Sequence, residues 1–167
     1  MTPDKIDEDI QYAKRAAKYK LYKVSKLEYK IEELAHMIVY KQFIDSDSIS
    51  FSQFVALPLN VELPFPTLND KKISARKTCQ RDDEIIFEAD FDGYAVLPRH
   101  RHDDCDEVMT VTSDSTFKFM IGKEVDGTFQ KRTLVKGDTI IIKATVEHQI
   151  INLSSTSGHI HTKLIKR

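Results

Sequence analysis

The chain has 167 residues, of which 41% are hydrophobic and 31% charged, and its formal net charge is −1. This composition is too apolar for general disorder and too polar for a membrane protein, and the neutral balance gives no broad attraction to nucleic acid. No apolar run approaches the roughly 18 residues that a transmembrane helix needs, and the acidic N-terminus lacks a signal-peptide core. Two cysteines are too few for a disulfide framework, so we predict a cytoplasmic protein.

A single long helix is predicted over residues 4–43, because this stretch has no glycine or proline and is rich in good helix formers. Its apolar residues recur at heptad spacing, and only Lys20 breaks the pattern. The heptad positions are Ile10, Ala13, Ala17, Val24, Leu27, Ile31, Leu34 and Ile38. Two interpretations stay open: a coiled coil that joins a homodimer, or an amphipathic helix packed against the rest of the chain.

The same predicted helix is strongly basic in its middle, where a single acid, Glu28, stands among seven cations. Those cations are Lys14, Arg15, Lys18, Lys20, Lys23, Lys26 and Lys30. A basic helix face is able to bind nucleic acid, but it is more often a solvated face whose lysine stems cover apolar neighbours. We therefore favour a solvated face and expect no nucleic-acid partner.

Residues 44–84 are predicted to form a connector with short extended segments. Residues 49–52 alternate like a short strand, and Leu63-Pro64 favours extended backbone. The polar stretch 69–83 is predicted to lie on the surface. We thus divide the chain into a helical extension (1–43), a connector (44–84) and a β-domain (85–167).

From residue 85 onward the hydrophobic period changes to two, which is typical of strands. Eight short strands are predicted, at residues 85–88, 94–97, 107–112, 116–121, 128–135, 139–142, 147–151 and 159–165. Short strands separated by turns every eight to twelve residues indicate a β-sandwich or a β-barrel.

Metal chemistry is indicated by His100 and His102, which stand two residues apart at the end of a strand-like run. Strand alternation places both imidazoles on one face, where each can give one nitrogen to the same ion. Glu107 follows after a polar turn, at the start of the next predicted strand, and its carboxylate could complete the coordination. Alone, a His-x-His pair with a nearby glutamate is a weak signal.

A wider pattern of spacings strengthens this signal. Gly93 is followed by six residues, then His100-Arg101-His102, then four residues and Glu107. Gly137 is followed by ten residues and then His148, and three further residues separate His148 from Asn152. This arrangement resembles the two motifs of the cupin superfamily, over about residues 85–167. Asp114 stands where the first motif has a glycine, and Lys143 and Thr145 replace the proline and glycine of the second motif. These departures affect turns and leave every ligand position filled by a ligand-type residue.

The resemblance implies a mainly β fold, an antiparallel jelly-roll barrel of cupin type preceded by the long N-terminal helix. It further implies one divalent transition metal (Fe, Mn, Ni, Cu or Zn) bound inside the barrel by His100, His102, Glu107 and His148. The implied activity is that of an oxygenase, or of an isomerase or epimerase, on a small molecule, with Glu107 as the catalytic proton acceptor. The alternative is a non-catalytic cupin that binds or sequesters a small ligand and assembles into a homo-oligomer through its helix or its barrel.

The lining of the barrel follows from strand parity, which nominates a largely apolar set of substrate-binding residues. They are Tyr94, Met109, Phe119 and Ile150. Cys105 is predicted to be an ordinary turn cysteine, since its acidic neighbours disfavour a thiolate. A second His-x-His pair, His159 and His161, has no matching glutamate and is assigned to the last strand near the barrel rim.

Overall fold

A computed structural model describes residues 48–65, 67–125 and 128–167. The predicted helix over residues 4–43 and its coiled-coil seam lie outside these residues. Within the described ranges, one short helix precedes ten strands. The helix is α1 (Phe51–Val55), and the strands are β1 (Glu62–Phe65), β2 (Ile73–Gln80), β3 (Glu84–Phe91), β4 (Val96–His100), β5 (Cys105–Val111), β6 (Phe117–Val125), β7 (Thr128–Leu134), β8 (Thr139–Ile142), β9 (His148–Asn152) and β10 (Gly158–Lys166).

The ten strands form two antiparallel sheets. The large sheet has the order β1-β2-β3-β10-β5-β8, and the small sheet has the order β4-β9-β6-β7. The eight strands predicted from residue 85 onward are confirmed as β3 to β10. Alternation explains them: in β5 and in the first seven residues of β10, buried residues strictly alternate with partly exposed ones. Along β3 to β10 the chain crosses repeatedly between the sheets, which is jelly-roll topology.

A closed barrel, however, is not formed by the described strands. Edge strand β8 pairs only with β5, and edge strand β7 pairs only with β6, so no described ladder joins the two sheets. The expected barrel is therefore two facing sheets held together by side chains. Alternation along single strands predicts which face is inward, but it carries no information about whether the outer strands meet.

Helix α1 replaces the short strand predicted over residues 49–52. The Ser50 side chain accepts a hydrogen bond from the backbone N–H of Gln53 (3.3 Å), and the Gln53 side chain accepts one from the backbone N–H of Ser50 (2.7 Å). This capping box satisfies two backbone donors that a strand would have to pair elsewhere. Phe51 and Phe54 are buried on the inner side of α1, so the apolar pattern also suits a helix.

Strand β2 overturns the prediction that residues 69–83 lie on the surface. Ile73, Ala75 and Lys77 are buried on its inner face. The Lys77 ammonium donates hydrogen bonds to the carbonyl oxygens of Phe54 and Val55, both 3.0 Å away, where α1 ends. The Phe54 carbonyl also accepts from the backbone N–H of Leu57 (3.2 Å). The last carbonyls of a helix carry partial negative charge, so a buried cation is favourable there. Strands β1 and β2 extend the large sheet although they lie within the predicted connector.

Two motif residues hold the turn between β3 and β4. A side chain on Gly93 would place its Cβ only 2.2 Å from the carbonyl oxygen of Ser155. Asn152 is fully buried, and its amide donates to the carbonyl oxygens of Phe91 (3.3 Å), Asp92 (3.1 Å) and Thr156 (3.0 Å). Both motif positions are thus structural.

The core has two parts. One lies between the sheets and includes Met109, Phe117, Phe119 and Ile150. The other packs α1 and its flanking residues against the large sheet. None of the helices in the described part of the chain has the length and apolarity to span a membrane.

Candidate metal centre

Four buried ligand-type side chains converge between the two sheets. His100, His102, Glu107 and His148 each place one nitrogen or oxygen atom within 4.8 Å of the others. His100 ends β4 and His148 begins β9, and these two residues pair directly across the small sheet. Glu107 lies in β5 of the large sheet, and His102 follows β4. The structure thus brings together all four residues that the motif spacing nominated.

The three imidazole rings form a tight group. The ring centroids of His100 and His148 are 4.2 Å apart, those of His100 and His102 5.1 Å, and those of His102 and His148 5.5 Å. His148 is 0% exposed, and the other three side chains are buried as well. Because water does not reach these rings, their polar nitrogen atoms need hydrogen-bond partners or a bound cation to offset the cost of burial.

Backbone carbonyls fix the orientation of each ring. In every case the Nδ1–H donates to a carbonyl oxygen: His100 to Pro98 (2.8 Å), His102 to Ile49 (2.8 Å) and His148 to Val146 (3.1 Å). A carbonyl oxygen only accepts, so Nδ1 carries the hydrogen in all three rings. The other nitrogen, Nε2, is left for the centre of the cluster, as in histidines that bind metals.

Glu107 lies between two of these nitrogens. Its Oε2 is 2.7 Å from His102 Nε2 and 3.1 Å from His148 Nε2. Burial favours the neutral carboxyl, but the two imidazoles outweigh it and hold the pKa of Glu107 well below its usual range. Burial likewise opposes a charge on His102, but the nearby carboxylate of Glu107 prevails and raises its pKa. Burial and the neighbouring imidazoles hold the pKa of His100 well below the usual range.

This donor set fits a divalent transition metal. A neutral imidazole Nε2 and a carboxylate oxygen are both acceptors, so the contact at 2.7 Å requires a proton or a metal cation between the groups. Imidazole and carboxylate together suit Fe, Mn, Ni, Cu or Zn. Two ligand atoms about 2.1 Å from one ion, at right angles to each other, would be about 3 Å apart, close to the contacts of Glu107.

A cavity of about 70 Å³ adjoins the cluster and is lined by His100, His102 and Glu107. Met109 and Ile150, two of the predicted substrate-binding residues, also line it. Phe119 is buried in the core but is not part of this lining. Tyr94 was expected to point inward, and this prediction is wrong. It is 54% exposed and has a left-handed backbone (φ 63°) in the turn before β4, so strand parity does not apply to it.

The sequence analysis missed part of the cavity wall. Ile49 and Phe54 lie before and within α1, and the ring centroid of Phe54 is 5.5 Å from that of His102. Thr162, on β10, also lines the cavity. The signal in the sequence for Ile49 and Phe54 was the presence of large apolar residues in a stretch that is otherwise polar. For Thr162 the signal was alternation along the last predicted strand, which places it on the same face as Ile160 and Leu164.

Three further candidate residues of the sequence analysis do not belong to the cluster of ligand-type side chains. Cys105 is the first residue of β5 and is buried; burial, with the acids around it, raises the pKa of its thiol to about 12. It is therefore a strand cysteine and not a turn cysteine. His159 and His161 lie on β10, as predicted, and form hydrogen bonds with the carboxylate of Glu88.

No protein-family model matches the sequence, and no curated protein matches it significantly. Among solved structures, the chain is similar to the cupin domain of Cnp3 from Schizosaccharomyces pombe, with a TM-score of 0.51 and 6% identity. That match covers 57% of this chain and 61% of the Cnp3 chain. The chain is also similar to a predicted oxalate decarboxylase from Thermotoga maritima, with a TM-score of 0.50 and 12% identity over 57% of this chain and 82% of that one.

The strand order and these likenesses show the cupin fold. The chain is therefore a cupin-fold protein that carries a buried cluster of three histidines and one glutamate.

Proposed function

We propose that His100, His102, Glu107 and His148 bind one divalent transition metal, and that the site acts on a small molecule held in the adjoining cavity. The observation that carries this proposal is the commitment of all three Nδ1–H groups to carbonyls. It leaves three Nε2 atoms, all buried, in the same place as an ionised carboxylate. The activity we favour is that of an oxygenase, or of an isomerase or epimerase.

A bound ion of this kind supplies Lewis acidity and, for iron or manganese, redox chemistry. The protein's own contribution is orientation and proton handling. The carbonyls of Pro98, Ile49 and Val146 hold the three rings in place. The Glu107 carboxylate, ionised at neutral pH, is the group that accepts a proton from a bound molecule. The apolar cavity wall excludes water from the reacting groups.

Non-catalytic ligand binding is the second candidate function. One observation favours it: apart from His100, His102 and Glu107, Thr162 is the sole polar side chain among the described residues that line the cavity. A catalyst of proton transfer commonly has a second acid or base, and this wall offers none. Assembly into a homo-oligomer and a cytoplasmic location stay predictions.

Elemental analysis tests the metal proposal. Full-length protein purified without added metal or chelator is expected to contain about one transition-metal ion per chain, and His102→Ala to lose it. The matched control is His161→Ala, which removes an imidazole from the outer face of the large sheet. Stoichiometric metal in folded His102→Ala, or none in folded wild-type protein after incubation with Mn²⁺, Fe²⁺ and Zn²⁺, would refute the ligand assignment.

Turnover separates the two candidate functions. A catalytic site converts added substrate repeatedly, with oxygen uptake if it is an oxygenase. A binding site retains one ligand per chain through purification, which mass spectrometry of the denatured protein detects. Tight retention without turnover would favour the non-catalytic candidate.

A further inference from the structure

The wall of the cavity is strongly apolar. Thirteen of the seventeen described residues that line it are aliphatic or aromatic, or are methionine or alanine. The remaining four are His100, His102, Glu107 and Thr162. A ligand that fills this space therefore contacts hydrocarbon on most sides, and polar atoms at two places only: the cluster and Thr162.

The described wall contains no lysine or arginine. Two cations outside the lining are engaged elsewhere: Lys77 donates to the carbonyls of Phe54 and Val55, and Arg99 donates to the Gly122 carbonyl (2.7 Å) and to Glu147 (3.3 Å). A second carboxylate on a ligand would therefore lie among apolar side chains without a cation. Burying an unpaired carboxylate is strongly unfavourable. The wall thus disfavours dicarboxylates whose second carboxylate is held away from the cluster, such as succinate.

Thr162 supplies the other polar contact. It is 9% exposed and lies on β10 between the inward-facing residues Ile160 and Leu164. It pairs with Met109 of β5. Two residues further along β10, Leu164 pairs with Glu107 on the same inner face. Its hydroxyl makes no hydrogen bond to another residue in the described part of the chain, so one donor and acceptor is left for a ligand. A hydroxyl that lines the cavity gains a hydrogen bond when a ligand there offers an oxygen.

We propose that the cavity takes an uncharged, mainly apolar small molecule with a single oxygen function, an alcohol or a carbonyl, and that Thr162 hydrogen-bonds to this oxygen. The proposal rests on the proposed function in that the ligand fills the cavity that adjoins the proposed metal centre. The volume of about 70 Å³ is room for about five water molecules, which limits the ligand to a similar number of non-hydrogen atoms. Thr162 is then a specificity-determining residue of this site.

A homologous series of ligands tests the inference. Full-length protein loaded with Co²⁺ is titrated with straight-chain primary alcohols from propanol to hexanol, and separately with succinate and glutarate, by ligand-observed NMR. Each added methylene is expected to lower Kd about fourfold until the cavity is full. The dicarboxylates are expected to bind more weakly than butanol. Succinate binding more tightly than every alcohol would overturn the inference.

The role of Thr162 is tested with Thr162→Val, which keeps the shape and removes the hydroxyl. Alcohol Kd values are expected to rise about five- to tenfold. The control is Thr110→Val, whose hydroxyl bonds to Thr139 on the outer face. It is expected to leave Kd unchanged. An unchanged Kd in folded Thr162→Val would overturn the assignment of this residue.

Metal content, measured on every sample, separates this inference from the proposed function. Chain-length-dependent alcohol binding by folded protein that takes up no metal would support the apolar-ligand inference and refute the metal centre. Stoichiometric metal with a preference for dicarboxylates would do the reverse.

Discussion

The Nδ1 of His102 donates a hydrogen bond of 2.8 Å to the carbonyl oxygen of Ile49, which lies 53 residues earlier in the chain. The backbone N–H of Ile49 in turn donates to the carbonyl oxygen of Arg101 (3.1 Å), and the Phe54 ring packs beside the His102 ring. The segment before the predicted β-domain therefore orients one of the four clustered side chains and forms part of the cavity wall.

Phe54→Ala is expected to destabilise the protein by about 3–5 kcal/mol, because a buried phenylalanine leaves a large void when truncated. Phe54 packs against Phe87 and His102, with centroid distances of 5.3 and 5.5 Å. The measurement is the free energy of unfolding in urea. The neighbouring Val55→Ala changes an exposed side chain and is expected to cost less than about 0.5 kcal/mol. Equal losses in the two variants would contradict the packing described for α1.

Gly93→Ala is expected to cost about 3 kcal/mol, since the new Cβ would lie 2.2 Å from a backbone oxygen that cannot rotate away. Gly137→Ala is the comparison, because a Cβ there meets nothing within 4 Å and only its φ of +90° is unfavourable. That variant is expected to cost about 1 kcal/mol. Thermal unfolding of both variants tests the difference. A Gly93→Ala protein as stable as wild type would show that the turn relaxes freely.

Cys105 is expected to resist alkylation in the folded protein. Burial is the main cause that raises the pKa of its thiol to about 12, so the reactive thiolate is nearly absent at pH 8. Iodoacetamide should modify the half-buried Cys79 first, and peptide mass spectrometry measures both rates. Complete unfolding in denaturant is expected to remove the difference. Comparable rates in the native protein would count against the burial of Cys105.

His159 is expected to make stability depend on pH. Burial opposes its charged form, but the carboxylates of Asp90 and Glu88 prevail and raise its pKa. Its contribution to stability is therefore complete below the unfolded pKa of about 6.5 and is lost as the pH rises through the higher folded pKa. The difference in unfolding free energy between wild type and His159→Gln should accordingly be larger at about pH 5.5 than at about pH 8.5. Urea titrations at both values check it, and a constant difference would refute it.

Local sequence information was sufficient for most of the β-domain. Strands such as β5 and β10 alternate strictly, so their positions and inward faces were predictable from period alone. The spacing of His100, His102 and Glu107 was also sufficient to predict that they lie close together, because only a short turn separates β4 from β5. His148 came from the resemblance and not from local pattern.

The failures have non-local or competing causes. Residues 49–52 alternate, yet the capping box of Ser50 and Gln53 makes a helix the better solution. Lys77 contributed to the wrong prediction that β2 lies on the surface. The carbonyls that bind its ammonium group belong to α1, more than twenty residues earlier in the chain, so the local sequence gives no sign of them. Tyr94 is in a left-handed turn, where the parity of the following strand does not hold. Whether the sheets close into a barrel depends on whether their edge strands pair with each other, and the pattern within a single strand does not determine this.

Glu107 belongs to the large sheet, whereas His100 and His148 belong to the small sheet. A cation shared by these three residues would connect two layers that no described backbone ladder joins. Removal of the ion by a chelator would then lower the melting temperature as well as empty the site. At a free metal concentration 100-fold above Kd, the ion would add about 2.7 kcal/mol to the free energy of unfolding, so the heat resistance of this chain would follow its metal supply.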